Sequence, residues 1–382
     1  MFNQYRDVYV VKEVAPFKVD GLAIPYPEFV SRLYNLCMEL GFRKGLIMPS
    51  RAFCSDENQG LPIILLTKHF GTFPFNHGRV GGIVSTGRHA PHAEHGKDLV
   101  IIQASHVGYD PATQSFGSYC RMRTEHHEPT SSCGKISGVI KWYQEEYQFA
   151  QDNIYLDTDG DTQLVTIDNQ LLDQDRDQGL FLDLNKIIQV DKDGDYQPIK
   201  SHTTARSFLP SEHLKQTLEH SWPKTGSKRI AKDLTASLFR YKRQIPVDTE
   251  GRNQLEENLL HAMPWVVSSP APLLLAAQVN TQVEFDRTFR TLIKEHGYQG
   301  KNLVHIAGLN IDISPEDDLT FPLTKFVPWA AYVQKSDGTQ YMLEQDELMA
   351  RLMAQSEENP DQTDLEAAIH QMELHKEVKI ST

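Results

Sequence analysis

The clearest periodic stretch, YPEFVSRLYNLCMELGFRKG over residues 26 to 45, places Phe29, Leu33, Leu36, Met38 and Leu40 at helical spacing. An apolar stripe of that spacing predicts an amphipathic helix, and Gly41 supplies its stop. Downstream, three short apolar runs stand between glycine and proline breakers: Leu61 to Thr67, Leu99 to Ala104 and Ile136 to Trp142. Runs of that kind, separated by helical or loop segments, predict buried strands of an α/β fold with a central, largely parallel sheet flanked by helices.

Residues 151 to 200 break the pattern. They are acidic and turn-rich, with DTDGD at 157 to 161, DQDRD at 173 to 177 and DKDGD at 191 to 195, and read as an insertion between core elements. Residues 250 to 295 return to helical periodicity, and Leu303 to Ile313 (LVHIAGLNIDI) predicts a buried strand that ends in a turn at Ser314-Pro315. The chain thus divides into one domain over 1–335, carrying the insertion at about 151–200, and a C-terminal helix with a polar tail over 336–382. One internal echo links two segments. DLVIIQASHVGYDP at 98 to 111 and NLVHIAGLNIDISP at 302 to 315 both run an apolar strand into an Asp-containing turn, which would make them neighbouring strands of one sheet.

Composition narrows the functional classes. With 38 basic against 51 acidic residues the net charge is −13, which opposes binding to nucleic acid or to an anionic membrane surface. The longest apolar candidate, Ala271 to Val279, is far shorter than the roughly 20 residues of a membrane-spanning helix. The opening MFNQYRDVYVVKEV has no basic region followed by an apolar stretch, so a soluble, cytoplasmic protein is the expectation. Four cysteines in such a chain favour free thiols or metal ligands over a disulfide framework.

Three of those cysteines, Cys54, Cys120 and Cys133, fall in a histidine-rich segment. Cys54 is followed two residues later by Asp56, whose carboxylate could reach a metal or orient a bound water. His106 directly follows the apolar run Leu99 to Ala104 and its Ser105, at the end of a predicted strand where loops build sites. Cys133, in TSSCGKISG, precedes another apolar run in the same way. Cys54, His106 and Cys133 together offer two thiolates and one imidazole to a tetrahedral ion, leaving a fourth position open, as in a catalytic rather than a structural zinc site. A histidine satisfied inside the fold is the plainer reading of His106, and Cys120 in SYCRMR competes with Cys133 for the second thiolate position. His89, His92 and His95 suit an exposed loop better than a ligand tract, with a proton-shuttling role also open to them. The D-x-D runs lack the glycine and glutamate positions of a calcium loop and read as solvated turns. Phe70, Phe73 and Phe75 in HFGTFPF read as core, or as an apolar wall for a small neutral substrate.

The series CSDENQGLP, HFGTFPF, HVGYDP and SSCG resembles the limiting-CO2-inducible protein B/C family, related to the beta-class carbonic anhydrases. The similarity runs from about residue 25 to 145 and more loosely through GLNIDI and LTFPLTKF near 308 to 326. It implies a beta-carbonic-anhydrase-like core that pairs into a homodimer and a zinc ion held by Cys54, His106 and Cys133. It also implies interconversion of CO2 and bicarbonate by attack of zinc-bound hydroxide. In the beta class the aspartate of the C-x-D element works with an arginine two residues on, where this chain has Asn58. Arg88 in STGRHAPHAEHG is the expected replacement partner for Asp56, with Arg51 and Arg79 as substitutes. Such a pair would hold the carboxylate ionised and off the metal. Without it, Asp56 could close the site. A non-catalytic zinc protein that binds bicarbonate or serves inorganic-carbon regulation is therefore the first alternative, and a thiol switch between Cys54 and Cys133 the second.

Overall fold

A computed structural model of the chain describes residues 17–85, 98–120, 129–168, 188–190, 193–194, 196–198, 205–239, 241, 252–315 and 322–374. The described residues fall into two compact units, one of 1–141 with 243–382 and one of 142–242.

The first unit is built on a mixed sheet of eight strands. Seven of them are β1 (Ile24–Pro25), β2 (Ile47–Ala52), β3 (Phe75–Asn76), β4 (Asp98–Asp110), β5 (Leu303–Ile313), β6 (Leu323–Gln334) and β7 (Gln340–Leu343). The order β1-β6-β5-β4-β2-β3 puts parallel pairs at the centre, β5 with β4, β4 with β2 and β2 with β3. Antiparallel pairs close one side, β6 joining β5, β1 and β7, and Ser115–Phe116 folds back on β4. The α/β class with a parallel central sheet is the one expected from the sequence.

Helices cover both faces. On one side lie α1 (Tyr26–Glu39), α2 (Gly60–Phe70) and α6 (Gln345–Met353), whose Leu33, Leu66 and Leu348 share a core with Val100, Ile102, Val304 and Ile306. On the other side lies α5 (Pro272–Leu292), whose Phe285 and Leu292 pack on Leu99, Ile101 and Leu303. The alternation is that of a strand buried on both faces: even-numbered residues of β4 face one helical layer and odd-numbered ones the other. The first helix is as expected. Phe29, Leu33, Leu36 and Leu40 are buried, Met38 packs at their edge, and Gly41 takes a left-handed φ of 92° just past the end.

Two of the three short apolar runs are helices rather than strands. Leu61 to Thr67 lies within α2, ended by Gly71 at φ 69°. Ile136 to Trp142 opens α3 (Gly134–Asn153). Ile136, Val139, Ile140 and Tyr143 are buried at i, i+3, i+4 and i+7, the spacing of a helix and not the alternation of a strand. Only Leu99 to Ala104 is a strand. Past residue 335, Leu343, Leu348 and Leu352 sit in the core of the first unit.

The second unit carries a four-stranded antiparallel sheet in the order Arg206–Phe208, Thr162–Ile167, Ile154–Asp159, Gly226–Arg229. The DTDGD run is the turn of a hairpin in which Asp159 pairs with Thr162 and Gly160 adopts φ 58°. Asp193 and Gly194 of the DKDGD run lie between the paired strands Ile188–Val190 and Tyr196–Pro198, while DQDRD lies outside the described residues. Among the described residues, no helix is long and apolar enough to cross a membrane.

Candidate metal centre

The carboxyl ends of parallel strands are where loops of an open α/β sheet converge on ligands, and here three neighbouring strands end together. β2 runs through Phe53, fully buried, into Cys54. β4 carries His106 near its end on the face that also bears Ile102 and Ala104. β5 lies beside it in parallel register, Asn310 against His106 and Asp312 against Gly108.

Cys133 arrives from the other direction. The strands Ser118–Tyr119 and Thr130–Ser131 pair and deliver Ser132 to the backbone of β4, where the Gly108 N–H donates to the Ser132 carbonyl at 3.0 Å. A Cβ at position 108 would lie 3.1 Å from both Ser118 and Ser132, so glycine there permits the approach. Cys133 then sits at the start of α3, its carbonyl accepting from the Ser137 N–H at 3.0 Å.

The structure brings Cys54, His106 and Cys133 together, with their ligand atoms all within 4.8 Å of one another and all three side chains buried. The two sulfurs lie 3.9 Å apart. A tetrahedral ion with metal–sulfur bonds of about 2.3 Å would set its sulfurs about 3.8 Å apart. Nε2 of His106 is buried with no hydrogen-bond partner, an expensive state for an imidazole unless that nitrogen serves as a ligand. The donor set and this orphaned nitrogen fit a zinc ion.

Each donor is held by neighbours. Nδ1 of His106 lies 2.7 Å from Oδ2 of Asp312, so the ring donates there and turns Nε2 towards the sulfurs. Asp312 is fully buried, and it also accepts from Ser132 Oγ at 3.2 Å and Gln59 Nε2 at 3.3 Å, while Gln59 accepts from Asn310 Nδ2 at 2.5 Å. Sγ of Cys54 accepts the Gly81 N–H at 3.1 Å. The Cys133 contact, opposed by burial and aided by His106 and the Gly81 amide, pulls the Cys54 thiol down to about 3. That same contact, together with burial, holds Cys133 above the ordinary thiol range. Burial disfavours a charged His106, yet the bond to Asp312 and the two sulfurs outweigh it and keep the ring well above its usual value.

Asp56 caps the short turn Glu57–Gln59 that leads into α2 and reaches to 4.0 Å from His106 Nε2. Burial raises its carboxyl to about 6, against a lowering by His106. Among the described residues no arginine pairs with Asp56. Arg79 donates to Ser85 Oγ at 2.8 Å, and Arg88 lies outside the described residues, as do His89, His92 and His95. Cys120 is not one of the gathered ligands; its backbone N–H donates to Ser314 Oγ. Of the three phenylalanines, Phe70 is core, Phe73 is 77% exposed and Phe75 is half-buried on the edge strand β3. The sequence reading missed Asp312, Gln59, Ser132 and Gly81 as supports of the site. The internal echo carried the signal for Asp312, because sliding 98–111 onto 302–315 is the register in which β4 and β5 pair.

Residues 23–194 match a family model described as limiting CO2-inducible proteins B/C beta carbonic anhydrases. The limiting-CO2-inducible match thus contains Cys54, Asp56, His106 and Cys133, while Asp312 lies beyond it. A solved structure of PtLCIB4, a homolog of the limiting CO2-inducible protein LCIB, is similar at 12% identity and a TM-score of 0.46, covering 88% of this chain and 99% of that one. A point mutant of that homolog gives 11% identity, a TM-score of 0.48 and coverage of 88% and 97%. The structure of LCIB itself gives 11%, 0.43, and coverage of 85% and 95%. No curated protein matches the chain.

Proposed function

We propose that this chain binds one zinc ion through Cys54, His106 and Cys133 and interconverts carbon dioxide and bicarbonate. The observation that carries the reading is the pair of buried sulfurs 3.9 Å apart beside the unpartnered Nε2 of a buried histidine, within the segment that matches a beta-carbonic-anhydrase family model. When bound, such an ion supplies Lewis acidity that brings the pKa of a coordinated water towards about 7. The protein's part is to hold and to move protons. Asp312 fixes the His106 ring, the Gly81 N–H favours Cys54 in its anionic form, and Asp56, whose carboxyl burial raises to about 6, would take up the proton that leaves. Arg88 remains the proposed partner of Asp56, and a homodimer the proposed assembly, which sedimentation of the purified protein checks.

Metal analysis under reducing conditions is expected to find one zinc per chain, and stopped-flow hydration of CO2 is expected to lose its catalysed rate in Cys133→Ala. Equal rates for the two proteins would discard the mechanism. A second reading is favoured by one distance, the 4.0 Å between Asp56 Oδ2 and His106 Nε2, with no arginine on Asp56 among the described residues. If Asp56 takes the fourth position, the chain is a non-catalytic zinc protein acting in bicarbonate binding or inorganic-carbon regulation. Zinc content with no hydration activity, at any pH between about 6 and 9, would select it.

A further inference from the structure

The N–H that faces Cys54 belongs to a tight turn whose own closing bond runs from the Gly82 N–H to the Arg79 carbonyl at 3.1 Å. Gly81 and Gly82, both at left-handed φ (82° and 74°), join the paired strands Gly78–Arg79 and Ile83–Val84. That bond leaves the Gly81 carbonyl to other partners, and the turn is also held from behind by two helices, α4 (Arg252–Leu260) and α5. Asn280 of α5 donates from Nδ2 to the Gly81 carbonyl at 3.2 Å and to Ser105 Oγ at 2.9 Å. Glu284, one helical turn on, accepts the Val84 N–H at 2.9 Å. Asn258 of α4 donates to both, at 2.9 Å to Asn280 Oδ1 and 2.6 Å to Glu284 Oε1, and Arg287 completes the carboxylate's shell. Asn280 and Glu284 are fully buried.

We propose that Asn280 and Glu284 are positioning residues for the metal centre: they clamp the Gly81–Gly82 turn so that the Gly81 amide points at Sγ of Cys54. The inference rests on the metal reading given above. Two observations argue against mere packing. A fully buried carboxylate is costly, and its Oε2 is spent on a backbone amide of the strand that leaves this turn. Contact also surrounds the turn closely, and contact restricts its position rather than the direction of its amide. A Cβ on Gly81 would meet Leu255 at 2.9 Å, and one on Gly82 would meet Ser105 at 3.1 Å. Direction is supplied by hydrogen bonds, which a shape-filling contact does not give.

The test uses the full chain loaded with cobalt(II), whose sulfur-to-metal charge-transfer band reports the thiolates. Asn280→Ala and Glu284→Ala are expected to weaken cobalt binding about tenfold to a hundredfold, in the range of supporting-residue mutations at metal sites, and to move the band. Gln278→Ala is the control, since Gln278 lies on the same helix but donates to the Phe17 carbonyl, away from the turn. It is expected to leave both affinity and band unchanged. Hydrogen exchange at the Gly81 amide, which needs no metal, is expected to quicken about tenfold or more in Asn280→Ala and not in Gln278→Ala. If either α5 variant fails to fold, Asn258→Ala, which removes the donor common to both residues, carries the same test. Unchanged affinity, band and exchange in the variants would overturn the proposal. A wild type that takes up no metal would instead overturn the reading of the site, and the exchange rates would still decide the role of the clamp.

Discussion

Nδ1 of His106 and Oδ2 of Asp312 lie 2.7 Å apart on adjacent parallel strands, two register positions from one another. A carboxylate in that place fixes the tautomer, so that Nε2 is the nitrogen left with a lone pair to give. Asp312→Asn keeps the shape but weakens the acceptor and is expected to lower zinc affinity about tenfold to a hundredfold, measured by competition with a chromogenic chelator. An affinity equal to wild type would mean that the ring is oriented by Ser132 and packing alone.

How far the sequence reached is clearest at this pair. His106 was legible because a histidine directly after an apolar run marks a strand end. Asp312 was legible only as part of an echo between two segments, since nothing local distinguishes LNIDI from any buried strand; its meaning depends on which strand lies alongside. The same limit explains one of the two runs read as strands. Leu61 to Thr67 is apolar almost throughout, even at Ile64, which is 55% exposed, so the helix's one buried face leaves no period in the sequence. Gly81 was illegible for another reason: a backbone amide carries no side-chain signature, and its partner Cys54 lies in a different loop.

Three buried histidines give the stability a pH dependence of definite sign. Burial, with smaller contributions from Lys68, Arg51 and His77, lowers His69 and His77 to about 4 and His305 to about 3. The folded state therefore binds fewer protons than the unfolded state between the usual histidine value and these, so each group's contribution is present above about pH 6.5 and is lost as pH falls through that window. Asp56, raised to about 6, and Glu284, raised by burial, act in the opposite sense. A single substitution isolates one group. His305→Asn is expected to flatten the slope of unfolding free energy against pH between about 6.5 and 4 by up to about 1.4 kcal/mol per unit, whatever its effect on absolute stability. Parallel slopes in urea titrations of the two proteins would show that His305 is protonated equally in both states.

Gly78 tests how tightly the Cys54 loop is drawn to its neighbour. A Cβ there would stand 2.0 Å from the Phe53 carbonyl oxygen and 2.5 Å from its nitrogen, and both are backbone atoms that cannot swing aside. Gly78→Ala is expected to destabilise the fold by about 1–3 kcal/mol, the usual cost of forcing atoms into a filled space. It is also expected to lower zinc retention, because Phe53 is the residue before Cys54. A variant with wild-type melting and full zinc content would show that the two segments separate freely.

Helix α6 supplies the last test, because its sequence reads as a surface element. Leu348 and Leu352 of α6 are fully buried in the core shared by α1, α2 and the sheet. Arg32 of α1 donates to the Met353 carbonyl at 3.0 Å, closing the end of α6 against that helix. A leucine so placed contributes both transfer free energy and the absence of a cavity, and truncation to alanine in such sites costs about 2–5 kcal/mol. Leu348→Ala is expected to lower stability by that amount in chemical denaturation. It is expected to leave the affinity for zinc unchanged while the protein stays folded, because no ligand or ligand-supporting residue described above lies on α6. A loss under about 1 kcal/mol would place α6 outside the cooperative unit, as the sequence had it.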